Sequence, residues 1–230
     1  MATTATIDRT EPVPHGRAFS ALGLVLVPAL ITLGVTGLRL AGELLDWSPR
    51  FFSREPGGAG ALVGIVWLVP VFGAWFGHRL VRMGRPPARA WAAVGYAVAG
   101  FALLPLSFAA SSALKLGSPW GFLVIAAAAI GAMLVACRGW RDLGRVLFAY
   151  GMAARIPVAI LMLVAMLNNW GTHYEKGPPG LPEMGMVPLW FWIGLMPQLT
   201  FWVAFTMTVG GIFGGIAAAI AMRRKPPSAI

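Results

Sequence analysis

The sequence predicts an all-α protein, a polytopic transmembrane helical bundle of about six spans with both termini in the cytoplasm. Three observations lead to this fold class. Of the 230 residues, 58% are hydrophobic and only 11% are charged, which is more apolar surface than a water-soluble domain can bury. The apolar residues form separate runs, most of them near the ~20 residues that cross a bilayer. The basic residues collect at alternate ends of these runs.

The chain begins with a polar stretch, residues 1–17, whose prolines and mixed charges predict a flexible cytoplasmic tail. Residues 18–222 form a single predicted transmembrane domain, because no hydrophilic block is long enough for a separate globular module. The first apolar run is longer than a signal-peptide core of ~7–15 residues, so we expect a retained helix. The spans are expected at about 18–41, 60–82, 89–114, 119–137, 143–167 and 198–222.

The last apolar run is too long for one simple span. Residues 187–197 are rich in Trp and Phe and stop at Pro197, so we expect an interfacial or tilted segment before the final span. Residues 223–230 predict a basic cytoplasmic tail.

The positions of the basic residues predict the orientation. Most of them fall on one side, which the positive-inside rule makes cytoplasmic in a multi-pass protein of the cell inner membrane. The loops 42–59 and 168–186 are then external. Basic residues beside span ends also contact anionic lipids, so the net charge of +10 indicates the bilayer and no nucleic-acid partner. The cytoplasmic set is Arg9, Arg17, Arg79, Arg82, Arg85, Arg89, Arg138, Arg141, Arg145, Arg223, Arg224 and Lys225.

Arg155 belongs to neither side, because it lies near the middle of the fifth predicted span. A charge at that depth costs from about 2.5 kcal/mol upward, and no Asp or Glu lies inside a predicted span to neutralise it. One interpretation is that Arg155 contacts carbonyls freed by Pro157, a polar cavity or an anionic ligand such as a lipid phosphate or a carboxylate. The other is that the helix starts later or bends, so that Arg155 reaches the inner interface.

The external end of the same span carries a dense run of hydrogen-bonding side chains. His173 and Glu175 are an acid/base pair by residue type, and His acts near neutral pH. A loop that caps the bundle, with Trp170 and Tyr174 as interface anchors, is the alternative interpretation. The candidate ligand or cavity residues are Arg155, Asn168, Asn169, His173, Tyr174, Glu175 and Gln198.

Small residues recur on one face of the last span, at Gly210, Gly211, Gly214 and Gly215. They predict close helix packing, either within the bundle or against a second protomer. Near the external end of the first span, Glu43 and Asp46 are expected to pair with Arg39 and Arg50, or to attract a cation.

Residues 137–157 combine a basic, glycine-containing link, from Cys137 to Arg145, with a helix that carries Tyr150 and Pro157. This stretch resembles the corresponding part of bacterial Yip1-like membrane proteins. The resemblance implies a small helical-bundle protein without known catalytic residues, and it transfers no site residue.

No nucleophile motif, metal-ligand set or dinucleotide fingerprint is present in the sequence, so we expect no catalytic residues, no metal and no cofactor. The leading hypothesis is a non-enzymatic integral membrane protein that acts as a partner subunit or as a membrane-organising, lipid-contacting bundle, with a membrane protein partner or its own copies. The alternative is a small transporter or channel with Arg155 facing an anionic cargo. An enzyme acting on a lipid-linked substrate through His173 and Glu175 ranks third.

Overall fold

The computed structural model describes residues 21–58, 60–178 and 181–223, and this part of the chain is all-helical, without a β-strand. The predicted tail 1–17 lies outside the described residues, as does the tail beyond Arg223. The helices are α1 (Ala21–Leu44), α2 (Leu68–Arg82), α3 (Ala90–Ala113), α4 (Trp120–Gly139), α5 (Arg141–Asn168), α6 (Met186–Leu189), α7 (Met196–Leu199) and α8 (Phe201–Arg223). A π-helical turn, Trp190–Leu195, connects α6 to α7, and 3₁₀ turns lie at Pro56–Gly58 and His173–Glu175.

Five helical segments are long and apolar enough to cross a membrane, which is compatible with a multi-pass integral membrane protein. Four of them are α1, α3, α4 and α5, and the fifth runs through α6 to α8 as Met186–Arg223. The exception among the predicted spans is α2, which has 15 residues and therefore a length of about 22 Å. The number of spans, about six from the sequence, stays a prediction.

The helices run in alternating directions along the chain, which follows from the residue pairs that face each other. Gly73 and Gly77 of α2 lie against Gly210 and Gly214 of α8, in the same order, so these two helices are parallel. A Cβ on Gly73 would lie 2.5 Å from the Gly210 Cα. Glycine therefore allows the two backbones to touch, as expected for close helix crossings in a membrane.

An adjacent face of α8 packs on α3. Gly211 meets Ala97, and Gly215 meets Val94 and the backbone of Ala90, so α3 and α8 are antiparallel. The four glycines that the sequence singled out thus contact helices of the same chain.

The bundle has two different ends. The ends of α2, α4 and α8 and the starts of α3 and α5 carry arginines, and we call this the basic end. The other end carries the segment between α1 and α2 and the segment between α5 and α6, and we call it the loop end. Buried apolar side chains fill the bundle between them, with Phe76, Leu80, Val146, Leu147 and Val203 almost fully buried.

One segment differs from the sequence expectation. Residues 60–67 are turns and bends, so the helix predicted at 60–82 begins only at Leu68. Residues 187–197, expected as an interfacial or tilted segment, are helical and run into the last helix, with a π-helical turn before Pro197. Proline has no N–H to continue the regular hydrogen-bond ladder, so a local change of helix type is expected there.

Candidate functional site

A cavity of about 910 Å³ lies near the loop end, and Arg155 lines it. Helices α1, α2, α3, α4, α5, α7 and α8 contribute side chains, together with both irregular segments of the loop end. None of the described residues that line it is Asp or Glu. The polar and charged lining side chains are Thr36, Arg39, Arg155, His173, Tyr174, Lys176, Gln198 and Thr200, and the rest of the lining is apolar or glycine.

Arg155 is the most unusual group in this cavity, because its residue is only 4% exposed. Its Nη1 donates a long hydrogen bond of 3.4 Å to the Gln198 Oε1, and its guanidinium carbon lies 4.7 Å from the centre of the Trp202 ring. Its Nε has no hydrogen-bond partner in the described part of the chain. The side chain therefore does not reach the basic end, and it does not bond the carbonyls near Pro157.

The sequence around Gln198 explains why these groups meet. Gln198 and Trp202 are four residues apart, so they lie on the same face of a helix, and that face points at α5. The Gln198 amide also donates to the Met162 Sδ at 3.6 Å, which fixes the orientation of its oxygen toward Arg155. Trp190 Nε1 donates to the Ala159 carbonyl oxygen at 2.8 Å and ties the π-helical turn to α5.

A buried ionic cluster closes the loop end beside the cavity. Glu43, whose side chain is fully buried, accepts from the Arg39 Nε at 2.8 Å and from the His173 backbone N–H at 2.9 Å. Its Oε1 also lies 2.5 Å from the His173 Nδ1. The cluster thus joins the end of α1 to the loop after α5, 130 residues away.

Arg39 connects this cluster to the segment before α2. Its Nη1 donates to the Val63 carbonyl oxygen at 2.8 Å and its Nη2 to the Ser53 carbonyl oxygen at 2.7 Å. Arg54 also donates to the backbone carbonyl of Glu43. Because Arg39 satisfies its own donors with protein groups, it differs from Arg155, whose Nε is unpaired.

The predicted His173–Glu175 pair is not formed. Glu175 folds back and accepts from the Thr172 N–H and hydroxyl, each at 3.2 Å, which is a capping box for the 3₁₀ turn. His173 turns instead to Glu43 and its ring lies 3.9 Å from the Tyr174 ring. His173 and Glu175 are close in sequence, but His173 pairs with the distant Glu43 instead.

Tyr174 is buried and lines the cavity. Burial raises the pKa of its phenol above the usual value, and the nearby Glu43 carboxylate raises it further. The hydroxyl therefore stays protonated at neutral pH and is available as a hydrogen-bond donor to a ligand.

Asn168 and Asn169 do not line the cavity. Asn168 donates to the Val164 carbonyl oxygen at 2.7 Å, and Asn169 takes the left-handed conformation, with φ of 51°, that ends α5. The Asn168 side chain and the Asn169 backbone therefore both belong to the end of α5. Of the seven predicted candidates, the cavity brings together Arg155, His173, Tyr174 and Gln198.

The arrangement suits the binding of an anion. The Arg155 guanidinium is buried beside a largely apolar cavity, where an interaction with an opposite charge is stronger than in water. No group of three or more His, Cys, Asp or Glu side chains that could hold a metal ion is found within the described ranges. The chain matches no protein-family model, no curated protein and no solved structure.

Trp202 and the Glu43–His173 contact are the parts of the site that sequence reasoning missed. The four-residue spacing from Gln198 to Trp202 indicates that both side chains lie on one face of a helix. Trp202 was therefore predictable as a second neighbour of Arg155 if Gln198 contacts that arginine. For the Glu43–His173 contact, the opposite charges of Arg39 and Glu43 at the same spacing marked a helix end, but nothing in the sequence linked that end to His173.

Proposed function

We propose that this chain is a non-enzymatic integral membrane protein whose helical bundle binds an anionic ligand through Arg155. The observation that carries the proposal is the buried guanidinium of Arg155, which lines a cavity of about 910 Å³ whose described lining holds no carboxylate. An arginine inside a membrane is costly, and most such residues mark a binding site or a pathway. An anion in the cavity beside the guanidinium would neutralise this charge.

The packing of the half of the bundle nearer the basic end supports a ligand-binding protein in preference to a channel. Phe76, Leu80, Val146 and Leu147 form a packed apolar core in the half of the bundle nearer the basic end. Such a core separates the cavity from that end, whereas a pore needs a polar path through both halves. Transport of an anionic cargo would therefore require this core to rearrange.

We infer the orientation of the bundle and the identity of its membrane from the distribution of the basic residues. The arginines of the basic end support a cytoplasmic position for it by the positive-inside rule, and with it a loop end and cavity mouth on the outer side of the inner membrane. The same arginines would contact anionic lipid headgroups. A stoichiometric protein partner, or a second copy of the chain, stays a prediction that the same experiment tests.

Native mass spectrometry of the chain, extracted in a mild detergent, tests the proposal. We expect the wild-type protein to carry an anionic molecule that is absent from the Arg155→Gln variant, because glutamine removes the charge but keeps a polar side chain. Arg155→Lys should retain part of the bound species, since it keeps the charge without the planar guanidinium.

The matched control is Arg89→Gln, which removes an exposed arginine at the start of α3. This variant should keep the bound molecule at the wild-type level. Equal occupancy in wild type and Arg155→Gln, or a wild-type chain that carries only a protein partner, would contradict ligand binding at Arg155.

A further inference from the structure

We propose that the ligand is an amphiphile with one anionic head and an apolar chain, which enters the cavity sideways from the membrane through an opening beside α2. This inference rests on the proposed binding of an anion at Arg155 and names the class of molecule that carries the anion. Three features of the structure support it: the short second helix, the exposed apolar rim of the cavity and the composition of its walls.

The first feature is the irregular segment 60–67. Helix α2 is about 22 Å long, which is less than the ~30 Å thickness of a hydrocarbon core. Residues 60–67 directly precede its first turn. Its Val63 carbonyl bonds Arg39, and its residues Gly64, Ile65 and Val66 line the cavity. Non-helical backbone at membrane depth is tolerated where it is enclosed by protein or borders a cavity, so 60–67 marks a built opening between helices.

The second feature is the rim of this opening, which we define as Leu62, Val66, Trp67 and Phe108. All four line the cavity, and between 43% and 58% of each residue is exposed. At the inner limit of the same cavity, Arg155 and Met162 are buried. An exposed rim made of large apolar side chains admits hydrocarbon from the bilayer more readily than a hydrated ion.

The third feature is the wall between the rim and Arg155. Helices α4 and α8 contribute Phe122, Ile125 and Phe205, and the ring of the rim residue Phe108 lies edge-on to Phe201 of the wall at 5.4 Å. These side chains offer an apolar surface to an alkyl chain. The volume of about 910 Å³ is near the upper end of the ~300–1,000 Å³ typical of small-ligand sites, far more than a simple anion fills.

The head of the amphiphile then occupies the polar corner of the cavity. Arg155 supplies the charge of its guanidinium, and the Tyr174 hydroxyl supplies a hydrogen-bond donor on the side of the loop end. The Trp202 ring holds the guanidinium plane in position, so the charge is already oriented before a ligand arrives. Carboxylate and phosphate heads share the oxygen acceptors that this corner needs.

Binding to the chain in nanodiscs of uncharged lipid distinguishes an amphiphile from a simple anion. The probes are two pairs with equal heads: oleate with acetate, and dodecyl phosphate with inorganic phosphate. With binding to protein-free nanodiscs of the same lipid subtracted, and with concentrations expressed in water, we expect at least one amphiphile to bind about a thousandfold more tightly than its short partner, because only the amphiphile has methylene groups to remove from water. Arg155→Gln should weaken the binding of that amphiphile about tenfold or more.

A pair of substitutions on α4 tests the apolar wall. Ile125→Trp fills the cavity beside Phe122 and should weaken amphiphile binding about tenfold. Ile130→Trp adds the same side chain at an exposed position of the same helix, outside the cavity, and should leave the affinity unchanged.

The outcomes separate the two proposals. Short anions that bind as tightly as their amphiphilic partners, in an Arg155-dependent way, would overturn the amphiphile while the anion-binding function stands. Amphiphile binding that ignores both Arg155→Gln and Ile125→Trp would place the lipid on the outside of the bundle and overturn the inference. Binding of none of the four probes would overturn both.

Discussion

Replacing Glu43 by glutamine should destabilise the bundle and loosen the loop end. The side chain of Glu43 is fully buried and lies between the Arg39 guanidinium and the His173 ring. Glutamine keeps the shape and one acceptor oxygen, but it removes the negative charge that balances a guanidinium that is only 7% exposed. The consequence is an uncompensated buried charge.

The size of the effect follows from the burial of both partners. Removing one partner of a buried, hydrogen-bonded ion pair costs about 3–5 kcal/mol. Because the glutamine still accepts one hydrogen bond, we expect the free energy of unfolding to fall by about 3 kcal/mol, the lower limit of that range. The amide of His173, which donates to the Glu43 Oε2 at 2.9 Å, should exchange with deuterium faster in the variant.

Unfolding in mixed micelles, followed by circular dichroism, measures the free energy of unfolding. Hydrogen exchange of the loop peptides measures the exchange rate of the His173 amide. Asp46→Asn is the matched control, because it makes the same chemical change just after α1. The Asp46 side chain is 80% exposed and pairs with Arg54 at 2.9 Å, so its loss should cost at most about 1 kcal/mol.

Equal destabilisation by Glu43→Gln and Asp46→Asn would refute this reasoning, since the difference depends only on burial. Unchanged exchange at His173 in a destabilised Glu43→Gln would show that Glu43 supports α1 but does not hold the loop.

Two further predictions concern packing and the irregular helix. Gly73→Ala should lower the melting temperature, because the added Cβ would lie 2.5 Å from the Gly210 Cα, whereas Gly34→Ala meets nothing within 4 Å and should not lower it; a melting temperature that is unchanged in Gly73→Ala would contradict the close crossing. Trp190→Phe removes the donor to the Ala159 carbonyl oxygen and should cost about 1 kcal/mol in the same micelle assay, and a neutral result would mean that this bond does not hold the π-helical turn.

The helices were predictable because apolar runs and the charges at their ends can be read directly from the order of residues in the sequence. The run predicted at 89–114 is observed as Ala90–Ala113, and the arginines at the ends of the apolar runs collect at one end of the bundle. Arg155 could be recognised for the same reason: a lone charge in an apolar run is visible without any tertiary information.

The site itself depends on contacts that local sequence does not encode. The Glu43–His173 contact spans 130 residues, and it displaces the His173–Glu175 pair that proximity in sequence suggests. Segment 60–67 is as apolar as a helix, but the Val63 carbonyl bonds Arg39 instead of a helical N–H. The hydrophobicity of such a segment indicates that it is buried or lies in a membrane. It does not indicate whether the backbone is helical.

The most direct test of anion binding at Arg155 is an experimental density map of the chain purified from its own membrane. Anion binding at Arg155 predicts density for a non-protein molecule in the cavity, with its acceptor atoms toward the Arg155 guanidinium and its apolar part toward Phe108 and Phe122. An Arg155 side chain that pairs with a protein carboxylate, or that faces a cavity closed by apolar side chains, would contradict the account.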